Sequence, residues 1–136
     1  MTQCEGKLDA SVVFWKPENA TAEWEQTELR REAAAVPGVH LLSDEDGREA
    51  RRFGAQTSGH TLLYDGSGHL LFSGGITGSR GHAGDNAGRS AIVSLVNSGS
   101  ADRNSTFVFG CSLLNPQAPA GSGDDCHGAT TCEFKP

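Results

Sequence analysis

No two cysteines in this chain are spaced as CxxC or CxC; the four present, Cys4, Cys111, Cys126 and Cys132, lie far apart. That removes both the usual dithiol redox motif and the pairwise spacing of a zinc ribbon. Cys126, His127 and Cys132 are close in sequence, but no fourth ligand is near, so neither a metal nor a cofactor is expected. Long apolar runs are also missing. Nothing approaches the ~20 residues of a membrane span, and no basic start followed by an apolar stretch marks a signal peptide. The expectation is a soluble, cytoplasmic chain with no membrane partner. Positive charge is scarce, with 11 Lys and Arg against 17 Asp and Glu and a net charge of -6, so nucleic acid is not an expected partner. No nucleophile elbow and no recognisable carboxylate pair can be found. Asp44, Glu45, Asp46 and Gly47 mimic the start of a calcium loop, but the final acid is missing, which leaves a solvated turn.

What remains fits one domain: 136 residues, 36% of them hydrophobic. Composition shifts once. From residue 115 to 136 the chain is rich in Pro, Gly, Ser and Asp with little to bury, and reads as a flexible tail behind a folded body of residues 1–114. Ala10–Trp15 (ASVVFW) is a continuous apolar run stopped at Lys16-Pro17, the pattern of a buried strand. Thr21 is placed to cap a helix over Ala22–Val36, with Ala22, Leu29, Ala33 and Val36 at helical spacing. A short strand, Val39–Leu42, and a short helix over Asp44–Phe53, ended by Gly54, follow. His60–Tyr64, the turn Asp65-Gly66-Ser67-Gly68 and His69–Ser73 read as a hairpin, with Leu62, Tyr64, Leu70 and Phe72 alternating. Asn86–Asn97 is a helix with Asp85 as its expected N-cap and Ala87, Ala91, Ile92 and Leu95 facing inward. Thr106–Leu114 is a last apolar run, expected to be extended, in which Cys111 reads as a buried structural thiol. The aromatic residues, Phe107 and Phe109 among them, read as core or interface.

The run LLSDEDGREARRFGAQTSGHTLLYDGSGHLLFSGGITG resembles the part of thioredoxin- and peroxiredoxin-like proteins where an Asp-rich turn leads through a short helix and loop into a hairpin. GGITGSRGHAGDNAGRSA followed by FGCSL is similar to a bacterial family of thioredoxin-like proteins called RedB-like, and the resemblance runs from about Asp9 to Leu114. It implies an α/β chain in a truncated thioredoxin-like fold, one mixed sheet flanked by about three helices. Two departures qualify it. The strand and helix that carry the redox cysteines of that fold have no counterpart here, and the position of its cis-proline aligns with Gly59. In the thioredoxin-like sheet the missing strand is central, beside the one matching Ala10–Trp15. Direct pairing of Ala10–Trp15 with His60–Tyr64, insertion of Thr106–Leu114, or a second copy would each close the gap.

Two sets of candidate residues follow. Arg80, His82, Asp85, Asn86 and Arg89 lie in a Gly-rich loop running into a helix N-terminus, where free N–H groups and two cations suit a small anionic ligand or a protein partner. The loop is not a phosphate loop, since Ala83 and Arg89 stand where that motif has Gly and Lys. Cys4 and Cys111 are the candidate thiols of a redox alternative. His60, His69 and His82 lack a regular ligand spacing and read as polar surface or loop hydrogen-bonding groups. The expectation is an interaction module rather than an enzyme, acting as a homodimer.

Overall fold

The computed structural model describes residue 4, residues 6–79 and residues 84–113. Over these the chain is α/β. Strand β1 (Ala10–Lys16) leads through a 3-10 segment (Ala22–Glu25) and helix α1 (Glu28–Ala34) to strand β2 (Val39–Glu45). Helix α2 (Arg48–Arg52), the hairpin β3 (His60–Tyr64) and β4 (Leu70–Gly75), and helix α3 (Ala87–Ser98) follow.

β1 and β2 pair in parallel with unbroken register from Ala10 opposite Val39 to Lys16 opposite Glu45. β3 and β4 pair antiparallel from His60 opposite Gly75 to Tyr64 opposite Leu70, with a register shift between Leu63 and Tyr64. Among the described residues no ladder joins the two pairs, and in place of the expected single mixed sheet they form two two-stranded sheets. Of the three ways of closing a gap beside β1, direct pairing with β3 is therefore not the one used. Nor is Thr106–Leu114 inserted there. Ser73 N–H donates to the Asn104 carbonyl at 3.0 Å, and Ser105 bridges Ser73 in parallel, which places this segment on the outer edge of β4. Further on, Ser112 bridges Thr57 and the segment closes over the loop before β3. Leu114 lies outside the described residues, as does the whole of the expected tail.

The core lies between the hairpin and α3. Leu63, Phe72 and Ala91 are buried, and Leu8, Leu71, Ile92, Leu95, Val96 and Ala101 pack against them. The burial of Leu63, paired with Phe72, corrects the expected hairpin face: Tyr64 alternates away from it and is exposed, and the register shift between Leu63 and Tyr64 sets Leu70, also exposed, opposite Tyr64. α3 approaches the hairpin so closely that a Cβ on Gly88 would strike the Gly75 carbonyl. Gly88, rather than the expected Ala87, is therefore the buried residue in the first turn.

The expected helix over Ala22–Val36 is two pieces. Thr21 makes no capping bond, whereas the Thr27 hydroxyl accepts from Arg30 N–H at 3.2 Å and starts α1 there. Leu29, expected inward, is 65% exposed, whereas Ala33 and Val36 are half-buried. The acidic turn is not solvated throughout either. Asp44 is 2% exposed; its carboxylate accepts from Glu49 N–H at 2.8 Å and Ala50 N–H at 2.9 Å, binding the start of α2 to the end of β2. The helix begins only at Arg48 because Asp46 and Gly47 precede it in left-handed conformation, with φ of 57° and 69°.

Candidate functional site

α3 begins in the expected Gly-rich loop, but its cap is Asn86 rather than Asp85. The Asn86 side-chain oxygen accepts from Arg89 N–H at 3.0 Å, and its amide donates to the Ile76 and Gly84 carbonyls. The extended backbone at Asn86 turns its side chain back onto the first helical turn, while Asp85 stays outside the helix. Arg89 in turn reaches Asp85, with Nη1 at 2.9 Å from Oδ1. Asp85, Asn86 and Arg89 are thus brought together, and each spends polar groups on the others or on the loop backbone. Arg80 and His82 lie outside the described residues. What the described part can do is hold the loop against the end of β4, where Thr106 also donates its hydroxyl to the Gly75 carbonyl at 2.7 Å.

Gly59 and Cys111 are also brought together. Ser58 N–H donates to the Cys111 carbonyl, and Cys111 N–H donates to the Ser58 hydroxyl, each at 2.8 Å. Leu113 N–H donates to the Gln56 carbonyl at 2.8 Å. Gly110 sits so tightly against the Ser58 carbonyl that a side chain there would collide. Gly59 has φ of 79°, which glycine tolerates, and no cis peptide bond occurs among the described residues. Cys111 is exposed rather than buried, because the clasp consumes its backbone and leaves its side chain outside. Phe107 is 86% exposed and Phe109 is 43% exposed, so neither joins the core. Cys4 is buried, and both Cys4 and Cys111 are free thiols. Cys126 and Cys132 lie outside the described residues.

Of the histidines read as surface or loop groups, His60 and His69 lie within the described residues, and each has a side-chain partner. His60 Nε2 lies 2.9 Å from the Ser73 hydroxyl, and His69 Nδ1 lies 3.2 Å from Asp65 Oδ2. Asp65 also accepts from the backbone N–H groups of Ser67 and His69. The His69 backbone bond, ahead of the other contacts, holds the Asp65 carboxyl below its ordinary value. No cluster of three metal-ligating side chains occurs among the described residues.

One feature had no sequence signal strong enough to single it out. A cavity of about 290 Å³ opens at the carboxyl ends of β1 and β2, lined by Phe14, Trp15, Trp24, Glu25, Arg30 and Ser43 among others. Carboxyl ends of parallel strands are where open α/β sheets bind ligands. Here the Glu25 carboxylate is already matched. Glu25 accepts from the Ser43 hydroxyl and lies 3.7 Å from Lys16 Nζ, and these contacts, the Ser43 bond foremost, hold its carboxyl below the ordinary range. The Arg30 guanidinium stands over the Phe14 ring at 5.2 Å. Trp15 and Trp24 meet edge to face at 6.1 Å.

Comparison with known proteins finds no family model, no curated protein and no solved structure that matches this chain. No helix among the described residues is long and apolar enough to cross a membrane.

Proposed function

We propose that this chain is a thioredoxin-like domain of RedB-like character that works by binding rather than by dithiol chemistry, with a second copy of itself as its first partner. The observation that carries the reading is the pair of separate ladders. β1 has β2 on one side and no strand on the other among the described residues, in a chain that resembles a fold where that place belongs to a central strand. The thiols support it. Two-electron exchange needs an attacking thiolate with a resolving cysteine beside it. Cys4 is buried and Cys111 is exposed, and neither is bonded to another cysteine. The loop formed by Asp85, Asn86 and Arg89 is the proposed contact for a small anion or a protein partner, together with Arg80 and His82.

An insulin-reduction assay tests the reading, with thiols counted before and after oxidant. The expected result is no turnover and no disulfide formed between Cys4 and Cys111. A second reading has one observation in its favour: Cys111 is exposed and clasped to Ser58, next to Gly59. Under it the chain is a redox protein in which Cys111, or Cys4, works with a partner's thiol. Turnover that disappears in Cys111→Ser would replace the binding reading with that one.

A further inference from the structure

One hydrogen bond sets out the geometry of β1. The Lys16 carbonyl accepts from Asp46 N–H at 2.7 Å, continuing the parallel ladder in which Lys16 stands opposite Glu45. A strand residue sends its N–H and C=O to the same side, and successive residues alternate sides. Ala10, Val12, Phe14 and Lys16 therefore spend their backbone groups on β2, while Ser11, Val13 and Trp15 aim theirs at the opposite edge. The Trp15 carbonyl there is met by the Trp24 indole N–H at 3.2 Å. The backbone groups of Ser11 and Val13 face no strand among the described residues.

The other edges are blunted or occupied. β2 carries His40, Asp44 and Glu45; β3 is broken by its register shift; and the outer edge of β4 is taken by Asn104 and Ser105. Apart from the Trp24 indole over the Trp15 carbonyl, β1 has none of the devices that usually protect an edge. It contains no proline and no bulge, and its one charge, Lys16, is at its end and turned to Glu25.

We infer that β1 pairs antiparallel with β1 of a second copy about a two-fold axis at Val13, joining two β1–β2 ladders into one four-stranded sheet. This deepens the interaction-module reading above and rests on it. The strand is self-complementary in that register. Val13 meets Val13, Ser11 meets Trp15, and Ala10 meets Lys16, so no like charges oppose, although each chain carries a net charge of -6. Val13 is 44% exposed, and Leu42, its neighbour across the parallel ladder, is 48% exposed. Pairing extends these into an apolar strip across the axis. With Trp24 holding the Trp15 carbonyl, the ladder is made by the two bonds of the Val13 pair and by Trp15 N–H donating to the Ser11 carbonyl of the second copy.

Sedimentation of the whole chain across a concentration series tests this with Val13→Lys and Val13→Glu, singly and mixed. The wild type is expected to dimerise. Each variant alone sets like charges face to face and weakens dimerisation roughly tenfold or more, and the mixture restores it by pairing Lys with Glu. A dimer indifferent to both substitutions would overturn the edge pairing and leave the interaction-module reading in place. A wild type that stays monomeric would overturn self-pairing altogether, while the non-catalytic reading falls only on turnover in the insulin assay. Should either variant lose its fold by circular dichroism, hydrogen exchange on the wild type decides. The Val13 and Trp15 amides are expected to be protected at high concentration and to exchange fast on dilution; concentration-independent exchange would overturn the proposal.

Discussion

Asp44→Ala tests the packing argument most directly. Gly47 occupies the N-cap position of α2 and has no side chain to satisfy the helix's first N–H groups. Asp44, three residues earlier on β2, supplies both oxygens instead, one to Glu49 N–H and one to Ala50 N–H. Losing an N-cap typically costs about 0.5–2 kcal/mol, and leaving a buried donor unsatisfied costs about 1–3 kcal/mol. The Ala50 bond is buried and the Glu49 bond half-buried, so water replaces the second more readily than the first. The two effects overlap, and a loss of about 2–4 kcal/mol is expected, a large share of the ~5–15 kcal/mol that holds such a domain together. Asp44→Asn keeps one acceptor oxygen and should lose about half as much. Urea unfolding followed by tryptophan emission is the assay, since Trp15 lies against Gly47 and reports on this junction. A loss below about 0.5 kcal/mol for Asp44→Ala would refute the view that this carboxylate ties α2 to β2.

Further expectations follow from other contacts. Gly88→Ala forces a methyl into the Gly75 carbonyl and should destabilise by about 1–3 kcal/mol, despite alanine's better helix propensity; a neutral or stabilising result in thermal unfolding would mean that α3 does not approach the hairpin so closely. Asp65 and Glu25 both titrate below their ordinary values of 3.8 and 4.5, so the stability each supplies is complete above that ordinary value and is lost as pH falls through its lower folded value. Carboxyl NMR titration should show both depressed relative to the unfolded chain, and an unshifted Asp65 would refute the turn geometry around Ser67 and His69. In the native chain Cys111 should react with a thiol reagent much faster than Cys4, which is buried; equal rates read by peptide mass spectrometry would contradict the clasp over Ser58.

The elements built from local signals were legible in the sequence. β1 is legible as a strand from its apolar run, although it is not the buried strand expected, since none of its residues is buried and Val13 and Trp15 are exposed; the hairpin is announced by Asp65-Gly66-Ser67-Gly68, whose aspartate folds back on Ser67 and His69. α3 is legible from its apolar spacing, but Asp85 and Asn86 are chemically near-equal caps, and only the backbone at Asn86 decides between them. The role of Asp44 is hidden for a related reason. Three acids and a glycine in a row look solvated, and nothing local shows that the next helix turns its N–H groups back onto the first of them. Trp24 was equally opaque, because its bond to the Trp15 carbonyl depends on where a 3-10 segment lands relative to a strand edge.

The same distinction explains why the segment beyond α3 does not serve as a strand beside β1. Its apolar composition suits a buried strand, but close approach rather than hydrophobicity decides its place. Gly74 and Gly75 let the backbone at Thr106 and Phe107 come where no side chain fits, and Gly110 does the same against Ser58. Thr106 then bonds the Gly75 carbonyl and Cys111 bonds Ser58, so the segment is fixed at both ends to the hairpin half of the chain. A segment held in that way is kept with the hairpin rather than beside β1. The edge at Ser11 and Val13 is therefore left for a strand from outside the described residues, and the Val13 charge-swap pair asks whether a second copy supplies it.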